Sequence, residues 1–477
     1  MELLIPLSER NGPLYRQIYL SLRQAILSGT LRPGERLPST REMAEKLHVS
    51  RTVVLLAYDQ LLAEGFLTGR HGSGTFIAEG LSLRQRKEST RPAKLRLSNF
   101  GRYAAETVSP IAHSGRRAQS LRYDFAYGQT DTDIFPFAAW RRTLLRNERR
   151  TVLRDLDYGP ATGNQNLQEA IAAHVRKSRA VACDPSQVII VNGAQQAIDL
   201  IVRVLLARGD RVAIEDPQYR GARHALLAAE ARLCPVPVDN DGIVTGKLPD
   251  RARAAFVTPS HQLPTGAVLT LSRRLELLAW ARRQNAVIVE DDYDGEFRYE
   301  GQPLESLQGL DPEGRVIYIG TFSRTIFPSL RIGYLIAPKS LVPAISAAKW
   351  LCDRHTGTLE QRTLAEFISS GMYERHLHQV RKRNTLRRTA LLDAIAKYIG
   401  NGAEITGEGA GAHIVLWPNR RLDEEIIIRK AAAQNVGIYG IAPYFLRTPS
   451  RAGFMIGYSR MKEADIREGI KRLGNVL

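Results

Sequence analysis

Most of the chemistry legible in this chain sits in one short run, Glu290-Asp291-Asp292-Tyr293-Asp294, at the end of an apolar stretch. Four carboxylates on one strand end could hold Mg²⁺. They could equally hold a protonated ring nitrogen, with Asp291 as counter-ion and Tyr293 reaching a phenolic oxygen. No phosphate-transfer motif accompanies the acids, which weighs against the metal. Upstream, Asn192-Gly193-Ala194-Gln195-Gln196 follows another apolar run and opens a helical stretch. Free N–H groups and the helix dipole make such a start an anion site, although many strand-to-helix turns look alike. Tyr219, just after Glu215-Asp216-Pro217, could stack on a flat ring or simply pack at a rim. His376 and His378 are two apart on a helical stretch and do not share a face. Cys183, Cys234 and Cys352 fit neither a zinc ribbon nor a disulfide framework. No metal site is expected.

These groups need a scaffold that gathers strand ends. From about 119 to 340, short apolar runs alternate with helical ones: Val188–Val191 before Gln196–Leu206, then Val212–Ile214, Ala255–Thr258, Ala286–Glu290 and Val316–Ile319. That alternation predicts a largely parallel sheet covered by helices. Residues 341–477 begin helical and later offer strands at His413–Trp417 and Phe454–Tyr458, a smaller α+β lobe. The 477 residues exceed the ~100–200 typical of one domain, so two or three are expected. Hydrophobic content of 44% and charged content of 24% exclude a disordered chain, a collagen and a coiled coil. No stretch reaches the ~18 apolar residues of a membrane helix. Met1–Arg16 lacks a basic start followed by an apolar core. A cytoplasmic protein with no membrane partner is the expectation.

The net charge of +18 invites nucleic acid, although 55 Arg against 12 Lys also fits an arginine-biased proteome. Residues 1–79 carry net +1 and residues 80–120 net +7, so the densest positive field lies between folded bodies. Residues 80–118 lack sustained periodicity and read as a basic, mobile linker. Ahead of it, Leu14, Ile18, Leu22 and Ile26 repeat at helical spacing. Ser39 with Glu42 has capping-box spacing, and Ser50 can cap a further helix from Arg51 to about Glu64, whose inward face is Val54, Ala57, Tyr58 and Leu61. Two apolar runs around Gly69 to Gly74 predict a β-hairpin. Two helices, a tight turn and a hairpin make a winged helix-turn-helix, mainly α, whose second helix can enter a major groove. Ser50, Arg51 and Thr52 stand at its N-terminal end and Arg41 on the preceding helix. Arg70, His71 and Gly72 stand at the wing, suited to phosphate or minor groove.

Pro13-Leu14-Tyr15, Leu37-Pro38-Ser39-Thr40-Arg41, Val49-Ser50-Arg51-Thr52, Ala63-Glu64-Gly65 and Gly72-Ser73-Gly74-Thr75-Phe76 together resemble the winged-helix domain of the GntR superfamily of bacterial regulators. Val53 departs from it, where such regulators often carry Thr. The later motifs resemble fold type I aminotransferases. They include Asp124-Phe125, Thr258-Pro259-Ser260-His261-Gln262, Pro264-Thr265-Gly266, Glu290 to Tyr299 and Gly320 to Pro338. In this order the whole chain resembles the MocR subfamily. The resemblance implies a GntR-type DNA-binding domain at 1–79, the linker at 80–118, and an α/β, pyridoxal-phosphate-dependent transferase-like fold type I domain at 119–477. It also implies that Gly193, Ala194 and Gln195 hold the cofactor phosphate with Thr321, Ser323 and Arg331. Tyr219 would stack on the ring, and Asp291 and Tyr293 would meet it. A head-to-tail homodimer is implied as well.

One residue breaks the pattern. Where the family carries the lysine that condenses with the cofactor aldehyde, this chain has Arg324. A guanidinium, with pKa above about 12, cannot become an imine. Leu263 stands where aminotransferases usually have Asn, with His261 or Gln262 as possible replacements, and the arginine for a substrate carboxylate is not evident near Met455 and Arg451. The pocket could bind pyridoxal phosphate or an amino-acid adduct without a Schiff base, pair Arg324 with a new anionic effector, or be vestigial. The leading expectation is no catalytic residue. The chain would be a regulator that binds double-stranded operator DNA and senses a small molecule, an amino acid or its derivative. A working aminotransferase with an appended DNA-binding domain, and a constitutive DNA-binding dimer, are the rivals.

Overall fold

The computed structural model describes residues 6–8, 12–70, 73–79, 95–110, 121–299 and 304–477. The chain divides into two compact units, 1–96 and 97–477.

In the first unit, α1 (Leu14–Leu27) buries Ile18, Leu22 and Ile26, its i, i+4, i+8 stripe. Ser39 and Glu42 close a capping box on α2 (Thr40–Leu47), satisfying two free N–H groups. His48 ends α2 in the left-handed conformation, which turns the chain sharply. Ser50 then caps α3 (Arg51–Ala63), its Oγ accepting from the Val53 amide at 3.4 Å. The inward face of α3 is Val54, Ala57, Tyr58 and Leu61, all buried. Antiparallel β1 (Leu67–Arg70) and β2 (Gly74–Ile77) form the hairpin, with Leu67 and Ile77 closing the core.

The larger unit is built on an eight-stranded sheet in the order β4 (Val188–Val191), β11 (Gly333–Ile336), β10 (Val316–Thr321), β9 (Val287–Asp292), β8 (Ala254–Val257), β5 (Arg211–Asp216), β6 (Arg232–Asp239) and β7 (Gly242–Ile243). Strands β10, β9, β8, β5 and β6 are mutually parallel, and β11 runs against both neighbours. Val188 to Val191 are all buried, as in a sheet covered on both faces. Full burial of each such aliphatic side chain stabilises by about 1.5–3 kcal/mol. A smaller lobe carries the sheet β12 (Ala403–Thr406), β13 (His413–Pro418), β16 (Phe454–Gly457) and β15 (Tyr439–Gly440). Between them in the chain, β14 (Val436–Gly437) pairs in parallel with β3 (Tyr123–Asp124). Among the described residues no helix is long and apolar enough to cross a membrane.

The reading of 80–118 as a basic, mobile linker needs correction over part of its length. Asn99–Tyr103 is helical, capped by Ser98, whose Oγ accepts from the Gly101 amide at 3.0 Å. It docks on the larger unit: Asn99 Nδ2 donates to Glu230 at 2.9 Å, and Tyr103 Oη meets His224 Nδ1 at 2.8 Å. A cap and two polar contacts to residues far along the chain hold it, and periodicity reveals neither. Residues 80–94 and 111–118 of that reading lie outside the described residues.

Candidate functional site

The pleat of β9 sorts the acidic run, because alternate residues face opposite sides of a sheet. Glu290 and Asp292 share one side. Glu290 accepts from the amides of Leu307 and Gln308 at 2.8 and 2.9 Å. Asp292 takes Arg179 Nε at 2.7 Å and the Tyr318 hydroxyl at 2.6 Å. Beyond the strand, Asp294 lies 2.9 Å from His261 Nδ1. Asp292 Oδ1 is buried without a partner, and so is Asp291 Oδ1, but among the described residues Asp291 alone of the four acids makes no hydrogen bond on either oxygen. Burial, then the nearby Asp292 and Asp294, push its carboxyl up to about 7. The Tyr293 hydroxyl donates to the His261 carbonyl at 2.8 Å.

Gly193 begins the helix Ala194–Leu205 at φ +91°, where a Cβ would stand 3.0 Å from Arg331 Nη2. Arg331 donates in turn to the Asn192 carbonyl. The Gln195 side chain is engaged, with Nε2 donating to Gly221 O at 3.1 Å and Oε1 accepting from the Tyr219 hydroxyl at 3.3 Å. Thr321 at the end of β10 donates to the Ser323 hydroxyl at 3.1 Å. Gly193, Ala194, Gln195, Tyr219 and Asp291 thus come from the C-terminal ends of β4, β5 and β9 and the turns that follow, the usual place for ligands in an open α/β sheet. The cavity bounded by Glu215, Tyr219, Thr258 and Asp291 measures only about 20 Å³. That is room for about one water.

Arg324 follows β10 and is half-buried. Its Cζ lies 4.5 Å from the centre of the Tyr127 ring. Among the described residues it makes no hydrogen bond and no ion pair. Burial opposes its charge, yet Tyr127 and Asp294 hold its pKa above the ordinary arginine value. The next two lysines in sequence are paired, Lys339 with Asp184 and Lys349 with Asp353. Neither stand-in for the Asn replaced by Leu263 is free: Gln262 Nε2 donates to Pro217 O at 2.7 Å, and His261 is engaged with Asp294. Arg451 pairs with Glu404 at 2.6 Å and covers Trp417, while Met455 is buried in β16.

Sequence reasoning missed two groups here. Tyr127, which seats Arg324, carries no motif of its own. His261, Asp294 and His413 are all buried, each offering one potential ligand atom within 4.8 Å of the others. His413 Nε2 donates to Pro264 O at 2.9 Å, and burial followed by the His261 charge drives its pKa well below the usual value, so its ring is neutral. Only the packing of β13 against the loop after β8 brings these residues together.

In the first unit, Arg41, Arg51 and Thr52 are exposed. Arg51 Nε donates to Thr40 Oγ1 at 3.3 Å, which ties the starts of α2 and α3 together. Ser50 is used as the cap, and Val53 packs partly into the core rather than outward. Arg70 pairs with Glu79 at 2.8 Å and covers the Phe76 ring. His71 and Gly72 lie outside the described residues. Leu55 and Leu56 stand exposed on α3, 43% and 49%. The inward face at 54, 57, 58 and 61 already implied it, because they lie on the opposite side of the helix wheel.

Two family models match. The one for bacterial regulatory proteins of the gntR family covers residues 14–77, and the one for aminotransferase class I and II covers residues 123–473. The chain is 38% identical over 472 residues to the probable rhizopine catabolism regulatory protein MocR of Rhizobium meliloti, covering 97% of this chain and 93% of that one. Among solved structures, the multiple substrate aminotransferase of Thermococcus profundus superposes with a TM-score of 0.72 at 26% identity, over 80% of this chain and 96% of that one. The α-aminoadipate aminotransferase LysN of Thermus thermophilus, complexed with N-(5′-phosphopyridoxyl)-L-leucine, gives 0.69 at 28%, over 77% and 96%.

Proposed function

Since this chain belongs to the MocR-type regulators of the GntR family, a DNA-binding winged helix joined to an aminotransferase-like unit, we propose that it is a transcription regulator whose large unit senses pyridoxal phosphate, or an amino-acid adduct of it, held without a Schiff base. The observation that carries this is Asp291: a carboxyl with a buried, unbonded oxygen and no hydrogen bond at all among the described residues, where Glu290, Asp292 and Asp294 each accept at least one. A protonated ring nitrogen is the partner its chemistry suits.

The other groups fit the same ligand. The helix start at Gly193, Ala194 and Gln195, with Arg331, Thr321 and Ser323 beside it, offers donors and positive charge for a phosphate. Tyr219 would turn off Gln195 to lie on the ring, and Tyr293 would face its hydroxyl. When bound, pyridoxal phosphate supplies an aldehyde that combines reversibly with amines, which is how an amino compound could be read. Arg324 stands at the family's lysine position and cannot take part in that combination. Residue 324 therefore supplies no amine for transamination, the next two lysines, Lys339 and Lys349, are held in ion pairs, and the unit acts as a sensor.

In the first unit, Arg51, Thr52 and Arg41 would meet the major groove, with Arg70, His71 and Gly72 at the wing and Ser50 holding the helix start. Leu55 and Leu56 add an apolar surface suited to thymine methyl groups. A cytoplasmic head-to-tail homodimer completes the reading. Regulation then requires the ligand to bind two arrangements of the domains unequally.

The 20 Å³ cavity favours a second reading, a constitutive DNA-binding dimer whose large unit only dimerises. Calorimetry of the full chain with pyridoxal phosphate, with and without operator DNA, separates the two. A sensor gives heat and a changed DNA affinity, and a scaffold gives neither.

A further inference from the structure

Two opposite charges in the cleft stand without partners. Arg324 offers five N–H donors, and among the described residues none is hydrogen-bonded; its contact is with the face of Tyr127. Asp291 Oδ1 is buried and unbonded. The two form no ion pair, yet Asp291 lies close enough to feel the Arg324 charge, and Tyr219 lies within reach of both. Their surroundings keep them in place: Asp291 lies on β9, and the Arg324 guanidinium lies against Gly128, where a Cβ on the glycine would stand 2.5 Å from Nη1. A ligand between them must therefore be a donor at one end and an acceptor at the other.

We propose that Arg324 makes this pocket select pyridine-phosphate ligands that present an oxygen, a carbonyl or a carboxylate, toward the guanidinium, and reject those that present an ammonium there. This rests on the reading of the pocket given above. An oxyanion meeting a half-buried guanidinium forms charge-assisted, bidentate hydrogen bonds. An ammonium meets a like charge and leaves the donors unmatched. A lysine at the same position, able to lose its proton, would impose no such sign. The regulator thus responds to the aldehyde and acid forms of the cofactor and not to its amine form.

The test is calorimetric titration of the full-length protein with pyridoxal phosphate, pyridoxamine phosphate and 4-pyridoxic acid 5′-phosphate. The carboxylate form cannot react with surface lysines, so its heat reports the pocket. It should bind at least about tenfold more tightly than the amine form, with the aldehyde form between them. Arg324→Gln should bring the carboxylate and amine forms within a few-fold of each other, and Arg324→Met serves the same purpose if the first variant does not fold. An amine form that binds wild type as well as the carboxylate form overturns the inference and leaves the pocket reading intact. If none of the three binds, the pocket reading itself falls, and this inference with it.

Discussion

The guanidinium carbon of Arg324 lies 4.5 Å from the centre of the Tyr127 ring, although Tyr127 follows β3 and Arg324 follows β10. Such a cation–π contact contributes about 0.5–2 kcal/mol and uses none of the N–H donors. The contact thus holds the cation in place while leaving its hydrogen bonds for a ligand. It also sets the chemistry that position 324 can perform, because the group held there is permanently charged.

Replacing that group should restore reactivity. Arg324→Lys, incubated with pyridoxal phosphate and reduced with borohydride, should carry the cofactor on residue 324, as read by peptide mass spectrometry. Wild type should show no adduct within the 320–331 segment. An unmodified variant would mean that the cleft does not bring an aldehyde to this position.

Asp291 has a stability signature in the absence of ligand. Its folded pKa of about 7 lies above the unfolded value of about 3.9. The contribution is fully present below about pH 4 and is lost as pH rises through 7, where a buried carboxyl must ionise. Asp291→Asn should therefore melt higher than wild type at pH 8, a gap on the order of 1–3 kcal/mol that closes toward pH 4. Thermal denaturation across that range measures it, and a gap independent of pH would show that Asp291 is not the titrating group.

Arg51 is exposed at the start of α3, its Nε bonded only to Thr40. Arg51→Ala should weaken operator binding by about 1–3 kcal/mol and relax base preference, while the folding of the first unit stays near wild type. Gel-shift titration against operator and unrelated DNA is the measurement. Unchanged affinity would remove α3 from the groove.

Leu55 and Leu56 provide a finer readout. If they touch thymine methyl groups, operator DNA with uracil in place of thymine should bind wild type about tenfold more weakly, and Leu55→Ala with Leu56→Ala should abolish the difference. A protein indifferent to uracil but still specific for its operator reads those positions by other means.

Much of this was legible in local patterns. The capping box at Ser39 and Glu42, the cap at Ser50 and the inward face of α3 depend on residues within one or two turns of each other, and spacing alone exposes them. The alternation of apolar runs announced a largely parallel sheet, because strands buried on both faces must be apolar throughout. The antiparallel insertion of β11 between β10 and β4 was not announced, since the runs look alike in either direction. The docked helix at Asn99–Tyr103 was missed for a similar reason: its partners, Glu230 and His224, lie far along the chain.

The identity of residue 324 belongs to the sequence alone. A guanidinium in place of an amine rules out imine chemistry there whatever the surroundings. What that cation does instead was decided by tertiary structure. Folding seats it on Tyr127, gives three of the four acids near β9 hydrogen-bond partners, and leaves the Asp291 carboxyl with none among the described residues. No pattern along the chain could single out Asp291, because the hydrogen bonds that engage Glu290, Asp292 and Asp294 come from Leu307, Gln308, Arg179, Tyr318 and His261. Which of four adjacent carboxylates stays free depends on which side of the pleat meets donors, and distant segments supply those donors only once the chain has folded.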